Sequence, residues 1–193
     1  PDITDEALEA LDLSGKIALT LGLPTPDPVE KLAEADAKAA IFESPTEGHC
    51  HEMIVTPVWG TPGIDDESRI HSLPVVEVSQ SAGERLRAQI ERGPVGAAVE
   101  TSVTTDRFDL PCPVGKIEGS ESDRYCVIGN HVDSWYEGVT DNATAVAITL
   151  ELARVFAERD ERPRRGLLFG FWTAHSFGRY AGSTWFDDNN FSD

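Results

Sequence analysis

The fold class of this chain follows from residues 125–172, which read YCVIGNHVDSWYEGVTDNATAVAITLELARVFAERDERPRRGLLFGFW. Two short apolar runs, Tyr125–Asn130 and Gly166–Trp172, have the length and composition of strands. Between them, Asn142–Arg159 is a predicted helix that is apolar nearly all round in its middle, which indicates a buried helix. Because a strand, a helix and a strand in this order form a crossover, the sequence predicts an α/β architecture with a mostly parallel sheet.

The ends of these three elements carry groups that bind metal ions. His131 ends the first strand, Asp141 opens the helix, and His175 and Ser176 end the second strand. In a crossover these ends share one edge of the sheet, so we expect the side chains to lie close together. Zinc prefers imidazole nitrogen and carboxylate oxygen, and Asp133 is placed to orient the other ring nitrogen of His131.

Each of these residues also has a purely structural interpretation. Asp141 can be a helix N-cap that accepts the amide hydrogens of the first turn. His131 and His175 can be hydrogen-bonded histidines that are partly buried. The placement of all three on one predicted edge favours the metal-site interpretation over these alternatives.

Upstream of the crossover, the pattern changes near Phe108–Pro113 and divides the chain into two parts. Residues 44–72 show no sustained period and are predicted to be a functional flap or irregular cover. The first part otherwise alternates predicted helices, Asp5–Leu11, Pro28–Lys38 and Gln80–Glu91, with predicted strands, Lys16–Leu21, Ala39–Glu43, Leu73–Ser79 and Val95–Val103.

The composition excludes several classes of protein. The 193 residues are 40% hydrophobic and 26% charged, as in a folded globular chain. No apolar stretch approaches the ~20 residues that cross a bilayer, so no membrane span is expected. The 16 basic and 34 acidic residues give a net charge of -18, which would repel a phosphate backbone, so nucleic acid is not an expected partner.

The excess of carboxylates over basic residues is typical of a surface that stays hydrated in high salt. An ordinary acidic protein remains the alternative. Because salt screens the self-repulsion of the folded chain, adaptation to saline conditions predicts that the melting temperature rises from dilute buffer to molar salt. Melting temperatures that fall or stay flat over this range would contradict saline adaptation.

The segments around the candidate ligands resemble a known family. The run Gly129–Trp135, the run Gly138–Ala143 and the helix ending at Arg154 resemble the metal-binding core of the co-catalytic zinc aminopeptidases. That family includes bacterial leucyl aminopeptidases and, more distantly, glutamate carboxypeptidase II and the transferrin receptor. The first part of the chain, notably Leu13–Ile17 and Leu73–Ser79, is similar to the protease-associated domain that is often inserted in these enzymes.

The resemblance implies an exopeptidase fold that uses zinc, one or two ions, to hydrolyse peptide substrates. It implies a protease-associated domain over residues 12–107, as a lid or wall of the substrate cleft, and the first part of the catalytic domain over residues 108–193. His131 would be a terminal ligand of one ion, and Asp141 would bridge two ions. Family members are often secreted, but the chain begins at Pro1 with no signal segment, so localisation stays open.

The sequence departs from the family pattern after the second strand. Most members have two consecutive glutamates there, a general base and a zinc ligand, whereas this chain has His175 and Ser176. A serine hydroxyl is a poor substitute for an anionic ligand, although His175 can still accept a proton or bind metal. In the family the remaining Asp and His ligands come well after this turn, past Asp193, the last residue of this sequence. Asp187 and Asp188 are interpreted as a solvated turn. The chain alone is therefore expected to have little peptidase activity.

Two other classes of function remain open. The first is a non-catalytic homologue that serves as a binding or scaffold module, which the change at His175 and Ser176 favours. The second is a lone protease-associated interaction domain, which does not explain the apolar helix and the second strand. A separate group, His49, Cys50 and His51, offers three metal-binding atoms without an evident fourth ligand.

Overall fold

A computed structural model describes residues 3–70, 72–104, 106 and 108–191. They form two compact units, one with residues 3–58, 63–70, 72–104 and 106 and the other with residues 59–62 and 108–191. The identification of the first unit as a protease-associated domain stays a prediction.

The first unit is built on a three-stranded parallel sheet. Its strands β1 (Ile17–Leu21), β2 (Ala39–Glu43) and β3 (Val75–Val78) pair in that order. The helices are α1 (Asp5–Glu9), α2 (Pro26–Glu34) and α3 (Gln80–Ile90), and a 3₁₀ turn spans Ile64–Arg69. Val29 and Leu32 of α2 pack with Phe42 of β2 in the core. The predicted helices and the first three predicted strands are thus confirmed, with small shifts at their ends.

The fourth predicted strand of this unit, Val95–Val103, is wrong. Residues 94–104 have no regular secondary structure, and Val103 is 82% exposed. Apolar residues at alternate positions favour a strand only where one face can be buried against a partner. This segment has neither a paired strand nor a covered face among the described residues, so its pattern does not produce a strand.

A close contact between α3 and β2 depends on Gly83. The buried carboxylate of Glu43 pairs with Arg87, whose Nη2 lies 2.9 Å from Glu43 Oε1, and a Cβ at Gly83 would overlap the Glu43 side chain. We expect Gly83→Ala to lower the free energy of unfolding by about 2 kcal/mol, because overpacking outweighs the gain in helix propensity. Urea denaturation measures the effect. Gly96→Ala is the matched control, since nothing lies within 4 Å of the added carbon; equal stability of the two variants would contradict the contact.

The second unit has a mixed sheet. Strands β4 (Val114–Ile117), β5 (Tyr125–His131) and β6 (Gly166–Trp172) lie in the order β4-β6-β5. The pair β5 and β6 is parallel, as predicted, whereas β4 runs antiparallel to β6 and was missed. Between β5 and β6 come a π-helical turn, Val139–Ala143, and helix α4 (Thr144–Ala157); helix α5 (Ala181–Asn190) follows β6. The mostly parallel sheet expected here is therefore a mixed one.

Two further expectations for this unit are corrected. Helix α4 is not buried all round: Thr149 is buried and receives a hydrogen bond from Asn130 on β5, but Ile148 and Leu150 are 61% and 55% exposed. One face of the helix packs on the sheet, and no described residue covers the other face. Asp187 and Asp188 lie within α5 rather than in a turn.

Candidate functional site

His131 lies at the end of β5 with both ring nitrogens engaged. Its Nδ1 is 2.8 Å from the carbonyl oxygen of Asp133, and its Nε2 is 2.9 Å from Oδ1 of Asp141. The Asn142 side chain donates to the carbonyl oxygen of His131 at 3.2 Å. The predicted proximity of His131 and Asp141 is confirmed by this contact, although their role as metal ligands stays a prediction.

Asp141 reaches this position from an irregular segment rather than from a regular helix. It lies in the π-helical turn before α4 with non-helical backbone angles, and its side chain is 62% exposed. Gly138 precedes this turn with a φ of +60°, and a Cβ there would overlap the side chain of Ser134. A glycine is therefore needed for the loop to fold back, and Asp141 does not act as the N-cap of α4.

The contact between His131 and Asp141 has a definite chemical meaning. A carbonyl oxygen can only accept, so Nδ1 of His131 carries a hydrogen. In the neutral imidazole, Nε2 then presents a lone pair to a carboxylate. Two acceptors at this distance require a proton or a cation between them, so the pair is a candidate cation site.

The donor set fits zinc in part. The 2.9 Å between Nε2 of His131 and Oδ1 of Asp141 is close to the roughly 3 Å expected between two ligand atoms on one zinc ion. Zinc in proteins usually takes three or four protein ligands. Within residues 3–70, 72–104, 106 and 108–191, no group of three or more His, Cys, Asp and Glu side chains is arranged to hold a metal ion. The described residues thus supply one side of such a site.

Asp133 connects the ends of the two parallel strands. Its Oδ1 accepts from the backbone N–H of His175 at 3.1 Å, and its Oδ2 accepts from that of Ser176 at 2.6 Å. The carboxylate lies 3.8 Å from Nδ1 of His131, so the backbone carbonyl of Asp133 orients the ring instead. The predicted contact of Asp133 with the ring of His131 is therefore made by the backbone carbonyl, and the carboxylate fixes the turn after β6.

His175 lies flat against His131. The ring centroids are 3.8 Å apart and the planes differ by 8°. Because lone pairs of imidazole nitrogens lie in the ring plane, two stacked rings do not converge on one ion. Burial, and then the neighbouring His131, lower the pKa of His175 from its usual value. His175 is therefore neutral near pH 7 and able to accept a proton.

Three further residues at this site were not fully anticipated from sequence. Ser176 is buried, and its Oγ has no hydrogen-bond partner among the described residues. Tyr180 meets the His175 ring edge-on, with the ring centroids 4.5 Å apart, and the ring centroids of Trp59 and Tyr180 are also 4.5 Å apart. From sequence, Trp59 is equally compatible with pinning its segment and with contacting a ligand. No sequence period links it to the crossover, because it comes from the irregular segment far upstream.

The group His49, Cys50 and His51 does not gather around one point. His51 is bound to Glu77 on β3, both through its backbone N–H and through Nδ1, which lies 3.3 Å from Oε1 of Glu77. His49 and Cys50 are exposed. The contact of His51 ties the irregular segment to the sheet of the first unit.

Relatives of known name match different parts of the chain. Aminopeptidase NAALADL1 of Mus musculus is 39% identical over 103 residues, which are 49% of this chain and 14% of that protein. A probable glutamate carboxypeptidase of Arabidopsis thaliana, LAMP1, is 28% identical over 185 residues, 94% of this chain and 21% of its own length. The chain therefore spans about a fifth or less of these two relatives.

The fold also matches solved peptidases. BSAP, a zinc aminopeptidase from Bacillus subtilis, superimposes with a TM-score of 0.59 at 22% identity, over 94% of this chain and 41% of that chain. The model of Peptidase family M28 matches residues 114–192, which include β4 to α5 and all four predicted site residues. Residues 114–192 are therefore similar to peptidase family M28.

Proposed function

We propose that this chain carries part of the active site of a zinc-dependent, aminopeptidase-like exopeptidase. The contact of 2.9 Å between Nε2 of His131 and Oδ1 of Asp141 is the observation that supports it most, because a cation between them satisfies both groups. The family match over residues 114–192 supports peptide substrates. A bound zinc ion would polarise the scissile carbonyl and make a water molecule acidic.

The residues around this pair would have distinct roles. His131 and Asp141 would hold the ion, and the carbonyl of Asp133, bound to Nδ1 of His131, directs Nε2 at it. His175, which burial keeps neutral, would accept a proton during hydrolysis. Since the described residues supply only two ligands, we expect the chain by itself to bind zinc weakly and to hydrolyse peptides slowly or not at all.

A non-catalytic binding module is the second candidate function. Ser176, at the position where most relatives have an acidic ligand, is 2% exposed, and its hydroxyl lacks a partner among the described residues. A neutral buried hydroxyl does not supply the charge that a second zinc ion requires. Loss of the second ion would leave a fold that can bind peptides without cleaving them.

Metal analysis and amino-acid release separate the two candidates. The full-length protein is dialysed against zinc, its metal content is measured, and release of N-terminal amino acids from short peptides is followed. About two zinc ions per chain with turnover support the peptidase. Zinc-free protein without turnover contradicts it, and peptide binding without turnover favours the binding module.

None of the helices in the described part of the chain has the length and apolar character of a membrane span.

A further inference from the structure

A row of aromatic rings leads away from the candidate cation site. His175 stacks on His131, Tyr180 meets His175 edge-on with ring planes at 76°, and Trp59 packs on Tyr180 with planes at 42°. Both centroid distances along the outer part of this row are 4.5 Å, which is normal for favourable aromatic pairs. Trp59 is therefore separated from His175 by a single ring.

The backbone beside Trp59 is fixed against the turn after β6. The N–H of Gly60 donates to the carbonyl of Arg179 at 2.8 Å, and the hydroxyl of Thr61 donates to the carbonyl of Ala181 at 2.9 Å. A Cβ at Gly60 would lie 2.6 Å from Oγ1 of Thr184, so the segment approaches α5 as closely as a glycine allows. These contacts hold the indole in place before any ligand binds.

Despite this fixation, much of the indole faces solvent. Trp59 is 61% exposed, although its ring contacts Tyr180. Phe177, which lies with Tyr180 on the turn after β6, is 58% exposed. A rigid aromatic surface binds apolar groups well, because little conformational entropy is lost on binding. A role limited to pinning the segment would need only the face that meets Tyr180.

The charge on this surface restricts what it accepts. The guanidinium of Arg179 lies 5.2 Å from the centroid of the Trp59 ring. A cation over an aromatic ring uses the attraction of that ring for positive charge and repels a second cation. A basic side chain is therefore disfavoured beside Trp59, and an apolar one is favoured.

We propose that Trp59 forms the wall of a subsite that takes an apolar side chain of the peptide substrate beside His175. This assignment rests on the proposed peptidase function, which supplies the peptide. It makes Trp59 a specificity-determining residue that the sequence contributes from outside residues 114–192.

The test compares peptide binding by the zinc-loaded protein and by Trp59→Ala. Dissociation constants are measured by NMR titration with the dipeptide amides leucyl-alanine, lysyl-alanine and glycyl-alanine. We expect Trp59→Ala to weaken leucyl peptide binding by about 10-fold, because burial of one aliphatic side chain changes affinity by about this factor. Glycyl peptide binding should weaken by less than about 2-fold. Trp59→Phe, which keeps an aromatic ring, should retain most of the preference.

Trp185→Ala is the matched control, because Trp185 is 50% exposed on α5 and takes no part in the row of rings. It should leave all three constants unchanged. Equal weakening of all peptides by Trp59→Ala, or stronger binding of the lysyl than of the leucyl peptide by the unmodified protein, would overturn the subsite. A chain that discriminates these peptides through Trp59 but binds no zinc would retain the subsite and contradict the proposed peptidase.

Discussion

Replacement of His131 by alanine is expected to weaken zinc binding by at least about 100-fold. Changes to residues that merely orient a zinc ligand already cost about 10–100-fold in affinity, so loss of the ligand itself should cost more. The remaining partner, Asp141, is 62% exposed and would hold an ion alone only weakly. Competition with a chromophoric chelator measures the affinity of the protein and of the variant.

The control for this experiment is His49→Ala. His49 is an exposed histidine in the first unit, and its replacement removes the same side chain without touching the pair. It should leave zinc affinity unchanged. If His131→Ala and the control bind zinc as the unmodified protein does, the ion is held elsewhere and the metal-site interpretation of His131 and Asp141 is wrong.

Replacement of Asp133 by alanine is expected to lower the free energy of unfolding by about 3 kcal/mol. The carboxylate is 12% exposed and accepts from the backbone N–H groups of both His175 and Ser176, and each buried donor left unpaired costs about 1–3 kcal/mol. Asp133→Asn keeps one acceptor oxygen, so its free energy of unfolding should lie between those of Asp133→Ala and the unmodified protein. Urea denaturation measures all of these free energies.

Asp160→Ala serves as the control for Asp133, since Asp160 is an exposed aspartate in the connection between α4 and β6. Its stability should match that of the unmodified protein.

The same Asp133 variants should weaken zinc binding by about 10–100-fold, because the turn that holds His175 against His131 is released. Unchanged stability in Asp133→Ala would mean that the two amides find other partners.

Much of the second unit could be predicted from sequence. The apolar runs of β5 and β6 are continuous and easily recognised, and the connection through α4 requires them to be parallel. That topology brings His131 and the segment with Asp141 to one edge, and the turn after Gly138 then places the two side chains in contact. Strand β4 was missed because Val114–Ile117 has only four residues, of which Val114 is 37% exposed, and pairs only at the sheet edge.

Other features of the site depend on atoms that no residue pattern specifies. Both the carbonyl and the carboxylate of Asp133 are within reach of site groups, and only the loop geometry determines which of them orients His131. The stacking of His175 on His131 follows from the turn fixed by Asp133. The contact of Trp59 with Tyr180 joins residues more than a hundred positions apart, and neither periodicity nor spacing predicts such a pair.

The uncovered side of α4 has a practical consequence for handling the molecule. Ile148, Leu150 and Val155 present aliphatic carbon to water, and mutual repulsion from the net charge of -18 keeps neighbouring molecules apart in dilute buffer. Concentrated salt shortens the range of that repulsion to about 3 Å, and sulfate also strengthens hydrophobic association. Concentrated salt would thus promote aggregation and salting-out through this helix.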